Sequence, residues 1–153
     1  MTEEEARVAA LIKNAFRGVT LGNGVGLLQG QGLDDYADPK TLAEYRLQDE
    51  KNDWSRIPVD ALSRCHSSLS FFDAEGMRFH LPAYLIGDLE GTLDQDALFH
   101  LTYICQGAES RFALLSAAQR DAVRELLLLR LADPNYEFDR PSIEMALESY
   151  WLP

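Results

Sequence analysis

Residues 69–85 read LSFFDAEGMRFHLPAYL, and this run decides the fold because it holds a helix start, an almost wholly apolar helix and an internal proline. Asp73 offers a short acceptor side chain where it can cap the free N–H groups of a helix beginning at Ala74. Phe72 and Met77 take the flanking positions of a hydrophobic staple. Met77, Leu81, Tyr84 and Leu85 then follow helical spacing, while Phe79, Ala83 and Ile86 put apolar groups on the remaining side. Few outward polar positions are left apart from Arg78 and Asp88. A helix apolar nearly all round belongs in the middle of a domain. Pro82 has no N–H for the carbonyl of Arg78, and its ring disfavours a helical Leu81. The segment therefore kinks, or divides into two short helices with Pro82 opening the second. The kinked helix is the reading carried forward.

Outward from this block the signals are helical, with little competing strand pattern. Thr2 and Glu5 have capping-box spacing, and Val8, Leu11, Ile12, Ala15 and Phe16 then form one apolar face before Gly18. Residues 18–32 hold six glycines. Their first part reads as a flexible loop, and residues 27–36 can close into a helix despite Gly30 and Gly32, each costing about 1 kcal/mol relative to Ala. Asp38 and Pro39 cap and open a mostly polar surface helix to about Lys51. Pro58 opens another helix through Leu62, Cys65, His66 and Leu69, with Trp54 and Ile57 packed beneath its start. The polar run GDLEGTLDQD ends the central helix between Gly87 and Gly91, and a short helix follows from Asp96 to about Tyr103. Ser116 and Gln119 repeat the capping-box spacing ahead of a helix over 117–132, with Val123, Leu126, Leu127 and Leu131 on one face and Asp133 and Pro134 as its stop. A last helix starts near Pro141 and docks the C-terminus through Ile143, Ala146, Leu147, Tyr150 and Trp151. The expected architecture is an all-α, single-domain irregular bundle over 1–153 around the central Pro-kinked helix.

The residues Asp34, Asp35, Tyr36, Trp54, Ile57, Pro58, Phe71, Arg78, Phe79, Leu81, Pro82, Ala83 and Tyr84 carry a resemblance. Together they resemble a bacterial family catalogued only as a domain of unknown function, whose members carry a Trp followed by Ile-Pro and then a Phe-rich RF-aromatic-LPAYL segment. The likeness is loose over about residues 1–130 and closer over 54–85. His80 stands where that pattern has an aromatic residue. The resemblance implies a small bacterial protein and supplies no activity.

Composition narrows the class. A chain of 153 residues fits one domain, and one of about 150 residues buries roughly 70% of its unfolded surface, enough for a core without staples. With 46% hydrophobic and 25% charged residues it is neither disordered in composition nor supplied with the ~20-residue apolar run that spans a bilayer. The start MTEEEARVAA is acidic where a secretory signal is basic and then apolar, which points to the cytoplasm and to no membrane. Cys65 and Cys105 make no disulfide framework and no C-x-x-C pair, so both read as buried thiols. A net charge of −11 repels phosphate backbones and argues against nucleic acid. It serves solubility, or steers a basic partner protein.

The search for chemistry returns mostly negatives. GNGVG at residues 22–26 lacks the G-x-G-x-x-G order and the lysine of a P-loop. His66, His80 and His100 have no H-E-x-x-H spacing, so no metal or cofactor is expected. Asp88, Glu90, Thr92, Asp94 and Asp96 alternate through a turn, but Leu93 and Phe99 stand where a calcium loop needs Gly and Glu, which leaves a solvated acidic turn. Arg78 and His80 interrupt the apolar helix beside Pro82. On the structural account Arg78 bonds an acidic side chain or freed carbonyls, and His80 tips toward solvent. On the functional account Arg78, His80 and Tyr84 line a pocket beneath Trp54, where an arginine beside aromatics recognises a carboxylate or phosphate.

Two function classes follow. One is a non-enzymatic, acidic cytosolic binding protein, an adaptor or immunity-like protein with a basic partner. The other is a small metal-dependent or His/carboxylate hydrolase using His80 or His66 with Asp34, Asp35 or the turn from Asp88 to Asp96. Tyr150 and Trp151 would mark a subunit contact if the chain works inside a larger assembly.

Overall fold

The computed structural model describes residues 1–104 and 109–153, and among these every regular element is helical. Cys105 lies outside the described residues. The N-terminal helix α1, Glu3–Ala15, starts at the capping box of Thr2 and Glu5, in which each side chain accepts the other residue's backbone N–H at 3.0–3.1 Å. Its buried Val8, Ile12 and the following Phe16 face the core. The helices α2, Leu27–Asp34, and α3, Pro39–Gln48, form a hairpin. As expected for a polar surface helix, α3 buries none of its residues.

The central helix α6, Ala74–Glu90, runs unbroken through Pro82, so the divided alternative is not the one that forms. Asp73 caps it as read, its carboxylate accepting from Gly76 N–H at 2.8 Å. Eleven of its residues are buried, which explains its low amphipathicity: it is walled by α1, α4 (Val59–Arg64), α7 (Ala97–Thr102) and two short 3₁₀ turns. The helix does not stop at Gly87. Gly87 lies against Val59 and Leu93 inside the packed structure, and the stop is Gly91, which takes the left-handed conformation (φ 71°) of a helix C-cap.

The helix expected to run from Pro58 past Leu69 also divides. The chain leaves helical geometry at Cys65 and re-enters it in α5, Ser68–Phe71. Here the chain packs on α2: the buried Ser68 donates its hydroxyl to the Leu27 carbonyl at 2.6 Å, and a side chain at Gly30 would stand only 3.1–3.2 Å from Ser68. A glycine inside a helix here serves packing rather than weakening the element.

The second capping box, at Ser116 and Gln119, opens α8, Ala117–Leu131, which packs on α1. The last helix α9, Arg140–Ala146, widens into a π-helical turn at Leu147–Trp151. Trp151 is fully buried and donates its indole N–H to the Leu101 carbonyl at 2.8 Å. It is core rather than a subunit contact, while Tyr150 is half-buried beside it.

The glycine-rich loop before α2 is built rather than loose. Leu21 N–H bonds the Lys51 carbonyl at 2.9 Å, Asn23 N–H the Glu75 carboxylate at 3.1 Å and Val25 N–H the Asp73 carboxylate at 3.0 Å. Arg46 donates to the Gly22 carbonyl at 2.6 Å. The amides of Asn23 and Val25, which in a phosphate-binding loop would face a ligand, are spent on the chain's own carboxylates at the start of α6.

Candidate interaction surface

The four residues marked by the sequence do not surround one opening. His80 is fully buried, contrary to the expectation that it tips toward solvent. Its ring stacks flat on Phe72, and its Nδ1 donates to the Gly76 carbonyl at 2.7 Å. Burial then leaves Nε2 without a partner and pulls the imidazole down to about 4. Tyr84, one helical turn on, is equally buried with its hydroxyl unpartnered, and burial raises its pKa. Trp54 donates its indole N–H to the Phe16 carbonyl at 2.9 Å and lines a cavity of about 400 Å³ with Ala83 and Ile86 of α6. Arg78 lines a different cavity, with Arg17. It makes neither the acidic contact nor the carbonyl bond expected of it, and its Nε is buried without an acceptor.

The residues of the hydrolase reading are partly brought together. Asp34 and His66 meet at Ser67, whose Oγ lies 2.7 Å from the Asp34 carboxylate and 3.0 Å from His66 Nδ1. Proton counting sets the roles. The hydroxyl has one proton and gives it to Asp34, so Nδ1 must donate to Oγ and cannot act as the base that activates it. Asp88 is not part of a solvated turn: it belongs to α6, half-buried, with its carboxylate 3.2 Å from Arg130. No group of three or more His, Cys, Asp or Glu able to hold a metal ion occurs among the described residues.

The unmatched feature is the α2–α3 hairpin. Two hydrogen bonds close the end of α2, from Tyr36 N–H to the Leu33 carbonyl at 3.3 Å and from Ala37 N–H to the Gly32 carbonyl at 2.9 Å. This is the paired pattern in which the residue after the cap must be left-handed, a position usually held by glycine. Here it is Tyr36, with φ 57°, the single non-glycine residue of positive φ among the described residues. A bulky side chain there costs about 1 kcal/mol of strain, and Tyr36 recovers none of it by burial, being 95% exposed. On the same hairpin Asp35, Asp38, Lys40 and Glu44 are exposed, and Leu47 is 80% exposed on α3. Sequence reading named Tyr36 within a resemblance but missed its role. The available signal was a helix ending in DDYADP with no glycine where the stop falls.

The hairpin is anchored from beneath. Asp49, at the end of α3, turns its buried carboxylate onto the start of α2, accepting from Leu28 N–H at 2.7 Å and Gln29 N–H at 3.2 Å. Burial raises its pKa, opposed by those two bonds. The hairpin is thus a fixed platform.

A family model described as a family of unknown function, DUF6714, matches residues 4–153. No curated protein and no solved structure matches the chain.

Proposed function

We propose, for a chain that belongs to the DUF6714 family of unknown function, that it is a non-enzymatic binding protein of the bacterial cytoplasm, adaptor-like or immunity-like, whose acidic α2–α3 hairpin engages a basic protein. The observation that carries this reading is Tyr36, a fully displayed aromatic in the left-handed position that closes α2, where its side chain recovers none of the backbone cost by burial. Strain of this kind persists where it serves a site. Tyrosine is enriched among the few residues that dominate binding energy, and surrounding carboxylates raise the association rate with a cationic partner. Among the described residues no helix is long and apolar enough to cross a membrane, consistent with work in solution.

The test compares wild-type and Tyr36→Gly proteins as baits in an extract of the native host, eluted by a salt gradient. The expected result is a basic protein retained by the wild type, released by salt, and bound at least tenfold more weakly by the variant. Equal retention by both baits, or a partner indifferent to salt, overturns the reading.

A further inference from the structure

We propose that the cavity between Arg17 and Arg78 binds the oxyanion group, phosphate or carboxylate, of a small anionic molecule. It is a solvent-open depression of about 330 Å³, and among the described residues no carboxylate lines it. Its polar walls are Arg17 and Thr20 from the loop after α1, Arg78 from α6, and Ser116 and Gln119 from the start of α8. On a chain of net charge −11, two arginines facing one opening without an acidic neighbour are against the trend of the whole surface.

The hydrogen-bond inventory sharpens this. Ion pairs among the described residues engage Arg7, Arg56, Arg64, Arg124 and Arg130, and neither Arg17 nor Arg78. A guanidinium keeps its charge at all physiological pH, so two of them lining one opening outside any ion pair offer fixed positive charge to an oxyanion. In the α8 capping box the Ser116 and Gln119 side-chain oxygens accept each other's backbone N–H, and Gln119 Nε2 donates to the Ala15 carbonyl at 3.2 Å. The guanidiniums of Arg17 and Arg78, with the hydroxyls of Thr20 and Ser116, are the donors left to an anion, and a guanidinium has the planar form that matches two oxygens of one group.

The net negative charge does not defeat this site. Carboxylates farther off than the roughly 8 Å screening length at physiological salt act weakly, whereas two arginines in contact with a ligand act at hydrogen-bond distance. A second cavity of about 540 Å³ shares Arg17, Gly18 and Val19 with this one and adds Lys13 and Arg56. Among the described residues one carboxylate lines it, Asp53, which lies 3.7 Å from Arg56.

The test uses the full chain in calorimetric titrations with inorganic phosphate and with citrate, at ionic strength matched by sodium chloride. Arg17→Gln and Arg78→Gln are the probes, and Arg64→Gln, which removes an exposed cation paired with Asp60, is the control. Arg17 is exposed, so its variant remains folded and informative even if Arg78→Gln does not. The expected result is binding by at least one of the two anions above the chloride background, weakened at least tenfold by Arg17→Gln and by any folded Arg78→Gln, and unchanged by Arg64→Gln. Binding of phosphate alone assigns a phosphorylated ligand, and binding of citrate alone a carboxylate. No binding above chloride, retention of wild-type affinity by Arg17→Gln, or an equal loss in Arg64→Gln overturns the proposal.

Discussion

The His80 imidazole lies 4.2 Å from the Phe72 ring at an interplanar angle of 2° and so packs as a stacked aromatic ring. Its protonation carries a consequence for acid stability. Burial depresses the folded-state pKa to about 4 from an ordinary 6.5, so the unfolded chain takes up a proton that the folded chain refuses. The contribution is complete above pH 6.5 and is lost as pH falls through about 4, by up to about 3 kcal/mol. His80→Phe, which keeps the stack and removes the titration, is expected to lose less stability than the wild type between pH 7 and pH 4.5 in urea unfolding. Parallel losses in the two proteins would refute this. Tyr36 carries the opposite kind of prediction: Tyr36→Gly is expected to raise stability by about 1 kcal/mol, read from the urea midpoint, because glycine takes φ 57° without strain. A gain in stability with a loss of binding is the signature of a residue kept for function. The sequence displayed both residues but not their settings, since the ring of Phe72 and the closing bonds of α2 are properties of folded geometry.

Helix starts were legible because their chemistry is local. Thr2 with Glu5, Asp38 with Pro39, Asp73 and Ser116 with Gln119 each satisfy donors within three residues, and all four open helices where they were read. The elements that escaped depend on distant partners. The glycine loop takes its order from Asp73 and Glu75, about 50 residues away, and the chain after the break at Cys65 packs on α2. Gly76 shows how the tertiary term overrides the local one. In a helix interior Gly→Ala gains about 1 kcal/mol, but a Cβ at Gly76 would lie 2.7 Å from the Val25 carbonyl oxygen and 2.9 Å from the capping oxygen of Asp73. Val25 belongs to the stitched loop and Asp73 caps α6 while accepting from Val25 N–H, so neither withdraws freely. Gly76→Ala is therefore expected to destabilise by about 2 kcal/mol, seen as a lower urea midpoint. A midpoint at or above the wild type would show the loop to be free to move.

At the scale of the molecule, Arg130 ties three helices together. Its guanidinium meets Glu5 of α1 at 3.2 Å and Asp88 of α6 at 3.2 Å, and it lies over the Tyr136 ring at 4.7 Å with its side chain only 5% exposed. Removing one side of such a cluster leaves a desolvated carboxylate, and burial already pushes Asp88 upward against the pull of Arg130. Arg130→Met is expected to cost about 3 kcal/mol, and Asp88→Asn in the same chain to recover part of it, a coupling that a double-mutant cycle in urea would measure. Additive losses would show that the two groups do not act as a pair. Arg130 was detectable, since it stands three and four residues after Leu127 and Leu126 on the apolar stripe of α8, but the identity of its partners was not. The sequence by itself determined the all-α class, the buried central helix and most helix starts, because periodicity and capping are written over three or four consecutive residues. Only the tertiary structure decided which polar groups are buried, paired or displayed. Arg130, His80 and Tyr36 acquire those roles from residues far along the chain or from the way the chain turns, and a linear pattern records neither.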